Sequence, residues 1–346
     1  MNVSRPDRGA ELDADLVDMM NAVFADYRAA QPPTAPIRRD TDLWAALDRL
    51  GLLRLTGSEQ SGGSGASWYA AAELLAAAAR NSVRVPLAEH DLLACWLLEK
   101  VGAPIAETAR TVCVLDETGV ATAVPWASTA ERIVVIWRDD DTQLLADVDC
   151  ADLRIIPGSN LIGEPRDTVS ADTAALAGTP VPAELVAQLH LKAALVRSIQ
   201  VCAALDKILE LAVEHASART QFGRPLSRFQ AVQQLIADTA AEAALARAAT
   251  EAALSAAVRS DWSGPNVTFA VAVARSCAGH AASVAVRNAH QVLGAIGTTI
   301  EHRLHEYTRA ALAWRSEFGS VHHWDEQVTR AALAAGADGL WRLIAD

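Results

Sequence analysis

The chain has 346 residues, room for two or three structural units at about 150 residues each. It carries 30 Lys and Arg against 42 Asp and Glu, a formal charge of −12, so its surface offers no electrostatic reason to gather on nucleic acid or anionic lipid. Hydrophobic residues make up 51% and aromatics only 5%; the apolar content rests on Ala, which loses no side-chain entropy in a helix, and a mainly helical protein is expected.

Met1–Leu12 is polar and charged, without the apolar stretch of a signal peptide. The longest apolar runs are Ala-rich and interrupted by Glu, Arg or Gln before the length of a membrane span. Cys95, Cys113, Cys150, Cys202 and Cys277 are scattered, with no CxxC pair, so neither disulfides nor a metal site is expected and a reduced cytoplasm fits best.

In chain order, Ala10–Ala29 and Asp40–Leu50 read as helices, separated by the breaker Gln31-Pro32-Pro33-Thr34-Ala35-Pro36. A Gly/Ser loop, Gly57–Gly65, leads to a helix over Trp68–Arg80 capped by Ser67 or Ser64. Leu87–Lys100 is another helix, with His90 and Asp91 as plain surface residues. The pattern then turns to short β-rich runs: Thr111–Leu115, Val120–Val124, Arg132–Trp137 and Gln143–Val148, with Asp139–Asp141 as a solvated hairpin turn. From about Pro182 long helices return. Leu191, Leu195, Ile199, Cys202, Leu205 and Leu209 follow spacings of three and four, as do Phe229, Val232, Ile236, Ala240 and Ala243, and Val271, Ala274, Ala278, Ala281 and Ala285. With a fourth helix near Glu301–Phe318 these would form an up-down bundle, followed by a final helix over Asp325–Ile344. The expected units are residues 1–110 (helical), 111–180 (β) and 181–346 (helical bundle).

Between two of the bundle helices lies Arg219-Thr220-Gln221-Phe222-Gly223-Arg224-Pro225-Leu226-Ser227-Arg228-Phe229-Gln230. This run resembles the acyl-CoA dehydrogenase signature Arg-x-x-Phe-Gly-x-Pro-Leu-x-x-Phe-Gln. A second segment, Gln291-Val-Leu-Gly294-Ala-Ile-Gly297 followed by Glu301, is similar to the family's Gln-x-x-Gly-Gly-x-Gly turn, with Ala295 in place of the second Gly. A third, Pro125-Trp126-Ala127-Ser128-Thr129, is similar to the family's Trp-Ile-Thr/Ser-Asn strand, and Gly62-Gly63-Ser64-Gly65 to its Gly-Gly-x-Gly loop. The resemblance covers nearly the whole chain. It implies an acyl-CoA dehydrogenase-like fold, mainly α with an inserted β-domain: an N-terminal helical domain, a middle β-barrel and a C-terminal four-helix bundle. It further implies FAD, an acyl-CoA thioester substrate, a dimer or dimer of dimers, and an electron-transfer flavoprotein as a possible electron acceptor. By resemblance, Arg219 reaches the FAD pyrophosphate across a subunit interface, a task suited to a guanidinium, with Gln221, Phe222 and Gln230 beside it. Gln291 and Gly294 contact the adenosine half, while Trp126 and Ser128 meet the flavin ring.

The chain departs from the family at the catalytic base. The family removes the α-proton of the thioester with a Glu carboxylate. At one of its two usual positions this chain has Phe318, within Phe318-Gly319-Ser320; at the other, 26 residues before Arg219, it has Ala193. Glu317 is the nearest carboxylate, but one residue along a helix is a rotation of about 100°. The segment Val114-Leu-Asp-Glu-Thr-Gly119 is a shortened form of a family segment that contacts flavin and CoA. Three readings follow. The chain is the FAD-completing subunit, lacking the base, of a hetero-oligomeric acyl-CoA dehydrogenase, as the bacterial α2β2 members are. Alternatively it is a self-sufficient homomeric dehydrogenase with Glu317 as a relocated base, or a non-catalytic scaffold of the same fold. His302 and His305 suit a polar interface better than a metal pair, which would need a third ligand; His322-His323-Trp324 lies beside the altered base motif.

Overall fold

The computed structural model describes residues 12–31 and 37–345. Ala10, Glu11 and most of the Pro-rich breaker lie outside the described residues. Helix α1 spans Ala14–Ala30 and α2 Thr41–Arg49, the latter capped by Asp40, whose carboxylate accepts from the Asp42 and Leu43 amides. Helix α3 (Trp68–Arg80) starts at Ser67, whose hydroxyl accepts from the Ala70 amide; Ser64 instead donates to the Gly51 carbonyl. The expected helix over Leu87–Lys100 is a π-helical segment, Ala88–Cys95, running into α4 (Trp96–Lys100). All eight residues of the π-helical segment are buried. His90 and Asp91 are therefore not surface residues: His90 accepts from the Arg110 amide and stacks edge-on against Trp44, and Asp91 accepts from the Thr56 amide and hydroxyl.

Seven strands follow: β1 (Arg110–Val114), β2 (Val120–Pro125), β3 (Arg132–Asp139), β4 (Thr142–Asp149), β5 (Arg154–Ile156), β6 (Arg166–Ser170) and β7 (Thr179–Pro180). They form two sheets, of order β1-β3-β4-β7 and β2-β6-β5. The expected β-domain is built from these two packed sheets, with β1 and β2 taking partners in different ones. The cluster between them holds Cys113, Val124, Ile133, Val135 and Val169. Strand β3 is buried on both faces: Ile133, Val135 and Trp137 point into that cluster, and Val134 and Ile136 pack toward the helices. A continuous apolar run is what a strand covered on both faces requires. Asp140, at φ +51°, turns the β3–β4 hairpin.

Helix α5 (Ala183–Ala218) is the axis of the molecule, packed against α3, α6 (Gln230–Arg259), α7 (Pro265–Leu293) and α8 (Leu304–Trp314). Residues Lys192 to Ser198 are all buried. The α6–α7 seam is lined by Ala246, Ala253, Ala274, Ala278, Ala281 and Ala285, small enough for close helix approach. By length and composition α7 could cross a membrane, but half of its most apolar window is buried inside this protein, and Arg275 lies buried along it. The last helix, α9 (Val321–Ala345), is broken at Gly336, whose backbone (φ 64°, ψ −178°) leaves the helical region.

Candidate functional site

The residues singled out in the sequence fall into two groups, one at the surface and one in the interior. The surface group sits where α5 passes into α6. Thr220–Gln221 (β8) and Arg224–Pro225 (β9) form a minimal hairpin, with Phe222 (φ +51°) and Gly223 (φ +78°) as its two turn residues. Two consecutive left-handed residues make the turn whose twist matches a two-residue hairpin. A Phe in that conformation is costly, yet its ring is 91% exposed. The Arg219 carbonyl closes the loop by accepting from the Leu226 amide. Its guanidinium is exposed and makes no hydrogen bond or ion pair among the described residues. Gln221 and Gln230 are exposed beside it, and Arg224 lies over the Phe229 ring at 4.2 Å.

The α7–α8 turn lies at the same end of the bundle. Leu226 and Ile296 pack on one hydrophobic cluster, and the His215 and His302 rings meet edge-on at 6.2 Å. Gln291 is exposed, and Gly294 caps α7 at φ 62°, ψ −141°, a conformation only glycine holds without strain. Gly297 is buried; a Cβ there would lie 2.9 Å from that of Leu293. Glu301 is exposed, His305 Nδ1 donates to the His302 carbonyl in its own turn, and no cluster of metal-ligating residues exists among the described residues.

The interior group is built differently. Trp126 is not on a strand but in the turn after β2, at φ +61°, and is 3% exposed. It lines a space shared with Arg84, Glu164, Arg166, Arg197, Gln200 and Trp314. That space has room for a single water molecule, about 10 Å³, so Trp126 offers no open face to a ring. Ser128 is exposed; its amide donates to Asp167 at 2.6 Å.

An ion network surrounds this space. Glu317 accepts from Arg166 (Nε 2.8 Å, Nη2 2.9 Å), from Arg197 (Nε 2.6 Å) and from Asn160 (3.0 Å). Arg197 also donates to Glu89 at 2.7 Å, and Arg166 to Glu164 at 2.8 Å. The Trp314 indole donates to Glu164 as well. The network joins the π-helical segment, the β-layer, α5 and the loop before α9. Burial alone would raise the Glu317 carboxyl, but Arg197 and Arg166 outweigh it and hold it at about 2. A carboxylate with two guanidiniums on its oxygens is a poor proton acceptor, which argues against Glu317 as a relocated base.

Phe318 takes a left-handed backbone (φ +53°), and its ring packs on the cluster that contains Ala193, Leu93, Leu97 and Leu189. The two family base positions, Ala193 and Phe318, therefore converge on one cluster, and both are apolar. The turn is fixed from behind by Arg275, whose Nη2 donates to the Glu317 carbonyl at 2.7 Å and the Arg315 carbonyl at 3.0 Å. Glu89, Glu164, Arg166, Arg197 and Arg275 are not marked by any motif in the sequence. The available signal was charge placed among the apolar positions of long Ala-rich helices, and on α5 and α7 it is visible in retrospect.

Residues 187–333 match the family model for the C-terminal domain of acyl-CoA dehydrogenases. Acyl-CoA dehydrogenase FadE34 of Mycobacterium tuberculosis is 30% identical over 312 residues; the match covers 85% of this chain and 43% of that protein, so the chain spans less than half of that relative's length. Acyl-CoA dehydrogenase IpdE2 of the same organism is 27% identical over 290 residues, covering 79% of this chain and 80% of its own. Among solved structures, the ChsE4-ChsE5 complex from M. tuberculosis superposes with a TM-score of 0.80 at 21% identity, covering 92% of this chain and 96% of that one. Butyryl-CoA dehydrogenase from Megasphaera elsdenii superposes at 0.75 and 16% identity, covering 94% and 100%. The structural likenesses establish an acyl-CoA dehydrogenase-like fold for the chain, and within it residues 187–333 are an acyl-CoA dehydrogenase C-terminal domain.

Proposed function

We propose that this chain is the FAD-completing subunit of a hetero-oligomeric acyl-CoA dehydrogenase and depends on a partner chain for the catalytic base. The observation that carries this reading is the contrast between its two halves. The interior positions that would hold a base and a flavin ring are closed, with Ala193 and Phe318 in an apolar cluster and Trp126 walled in by the Arg166–Glu317–Arg197 network. The hairpin at 219–230 stands open, with an unpaired guanidinium and a 91% exposed Phe222. An exposed aromatic held in a strained turn fits an interface better than free solvent.

FAD supplies the acceptor for the β-hydride of the thioester when bound. The residues of this chain would serve its non-reacting end. Arg219 can bind the pyrophosphate through paired donors, and Gly294 permits close backbone approach to the adenosine beside Gln291. At Trp126 the residues do not fit a flavin ring. The ChsE4-ChsE5 neighbour is by its title a complex of two chains, and the same arrangement is proposed here. The acyl-CoA substrate would be held with the base on the partner, and an electron-transfer flavoprotein would be one route for the electrons. The homomeric alternative, with Glu317 as base, requires a carboxylate freed from both arginines.

Anaerobic titration with a panel of acyl-CoAs tests the proposal. The chain alone should show no flavin bleaching with any of them, and its complex with a Glu-bearing dehydrogenase chain should bleach. Bleaching by the isolated chain would defeat the proposal and return attention to Glu317.

A further inference from the structure

The chain contains only three lysines, Lys100, Lys192 and Lys207, among its 30 basic residues. Lys207 is paired with Glu210 and Lys100 is exposed. Lys192 is 1% exposed and makes no hydrogen bond or ion pair among the described residues. Its ammonium nitrogen lies instead against three indoles: Trp262 at 3.8 Å, Trp96 at 4.4 Å and Trp68 at 4.6 Å from the ring centres. The neighbouring residue, Ala193, belongs to an apolar cluster that Phe318 packs against.

The indoles come from α3, α4 and the α6–α7 connection. That connection is strained: Asp261 (φ +48°) and Trp262 (φ +63°) are consecutive non-glycine residues in the left-handed region, and they bring the Trp262 ring to 4.5 Å from Trp68. Strain of this kind persists where the surroundings demand a particular side-chain position. A cavity of about 590 Å³ opens beside the box, in the size range of small-molecule sites. Its lining includes Lys192, Asp91, Trp68, Trp96 and Trp262. Asp91 is 5% exposed, and its Oδ1 is buried with no hydrogen-bond partner. A nearly buried amine without a hydrogen bond among the described residues and a carboxylate with one unpartnered oxygen therefore share one aromatic-walled cavity.

We propose that this cavity is a second ligand site, in which the Lys192 amine captures a planar, apolar aldehyde or ketone as a Schiff base. Indole walls suit a flat apolar body. Burial pushes the Lys192 ammonium down to about 6, leaving much of it as the free amine, the form that attacks a carbonyl. Burial likewise raises the Asp91 carboxyl to about 6, so it can hold or release a proton near neutrality. In the reaction, nitrogen adds to the carbonyl carbon and a carbon–nitrogen bond forms. The carbonyl oxygen then leaves as water with the two amine hydrogens, giving the imine. No oxidant or reductant takes part, and Asp91 serves only to relay protons. The remaining charges facing the cavity are Glu99, Lys100 and Asp261. With Glu99 and Asp261 set against Lys100, the cavity offers no net positive surface to an anion.

The test uses the intact chain with 2-naphthaldehyde as probe and cyanoborohydride to fix any imine, read by peptide mass mapping. At pH 7 the adduct should form on Lys192 at least about tenfold faster than on Lys100 or Lys207, since each unit of pKa lowering raises the free-amine fraction tenfold. The preference should vanish in urea, where the three amines are equivalent, and Lys192→Arg should leave only slow background labelling. Lys192 remaining unlabelled in the folded chain, or reacting no faster than Lys100, would overturn the proposal.

Discussion

Glu317→Gln separates an ion-pair role from a catalytic one. The substitution keeps the shape of the side chain and removes its charge, leaving Arg166 and Arg197 with Glu164 and Glu89 as their remaining partners. The structure sets the scale. A carboxyl taken from its usual 4.5 to about 2 by the arginines corresponds to about 3 kcal/mol, at ~1.4 kcal/mol per pKa unit. Breaking a buried pair by removing one member costs a similar roughly 3–5 kcal/mol. The folded-state value lies below the unfolded one, so the contribution is fully present above about 4.5 and is lost as the pH falls toward 2. Thermal melts followed by circular dichroism should show the variant less stable at pH 7, with the gap to the wild type shrinking between pH 4.5 and 2. Equal stability at pH 7, or a gap that widens in acid, would refute the reasoning.

Arg219→Ala should reduce the flavin retained by the hetero-oligomer without changing the melting of the isolated chain, because the guanidinium is exposed and unpaired; absorbance after gel filtration measures the retention. Arg275→Leu should cost roughly 2–4 kcal/mol by leaving the Glu317 and Arg315 carbonyls unpaired. Hydrogen exchange should then rise first at the turn around Phe318, and unchanged protection there would contradict its bracing role.

The elements that sequence placed best are those whose signals are local. Trp68–Arg80 is bounded by a Ser cap, and the α5–α6 hairpin is marked by Phe222-Gly223 between two long periodic helices. Apolar spacing on α5 identified one face of a helix that is buried nearly all round over residues 192–198. Periodicity reports an amphipathic stripe and cannot report which charges a central helix carries inward. Lys192 and Arg197 were overlooked for that reason, and with them the network that closes the interior. His90 and Asp91 look like surface residues in sequence because polar residues usually are. Their burial follows from the π-helical segment, which packs beneath β1 and the loop at Thr56. The two-sheet arrangement of the β-layer was equally hidden, since β1 pairs in parallel with β3 across the intervening β2. Along the loop before α9, one residue of offset sends Glu317 to the arginines and Phe318 to the apolar cluster. The motif residues mark where a cofactor's outer half could dock, and only the packing speaks to whether its reacting half has room.

The most direct measurement is the flavin stoichiometry of this chain purified alone and of its complex with a Glu-bearing dehydrogenase chain. The account predicts a colourless isolated chain and flavin only in the complex, at no more than one per pair of unlike chains. A stable flavin on every copy of the isolated chain would contradict it, because the closed space at Trp126 would then have to open for a ring it has no room to admit.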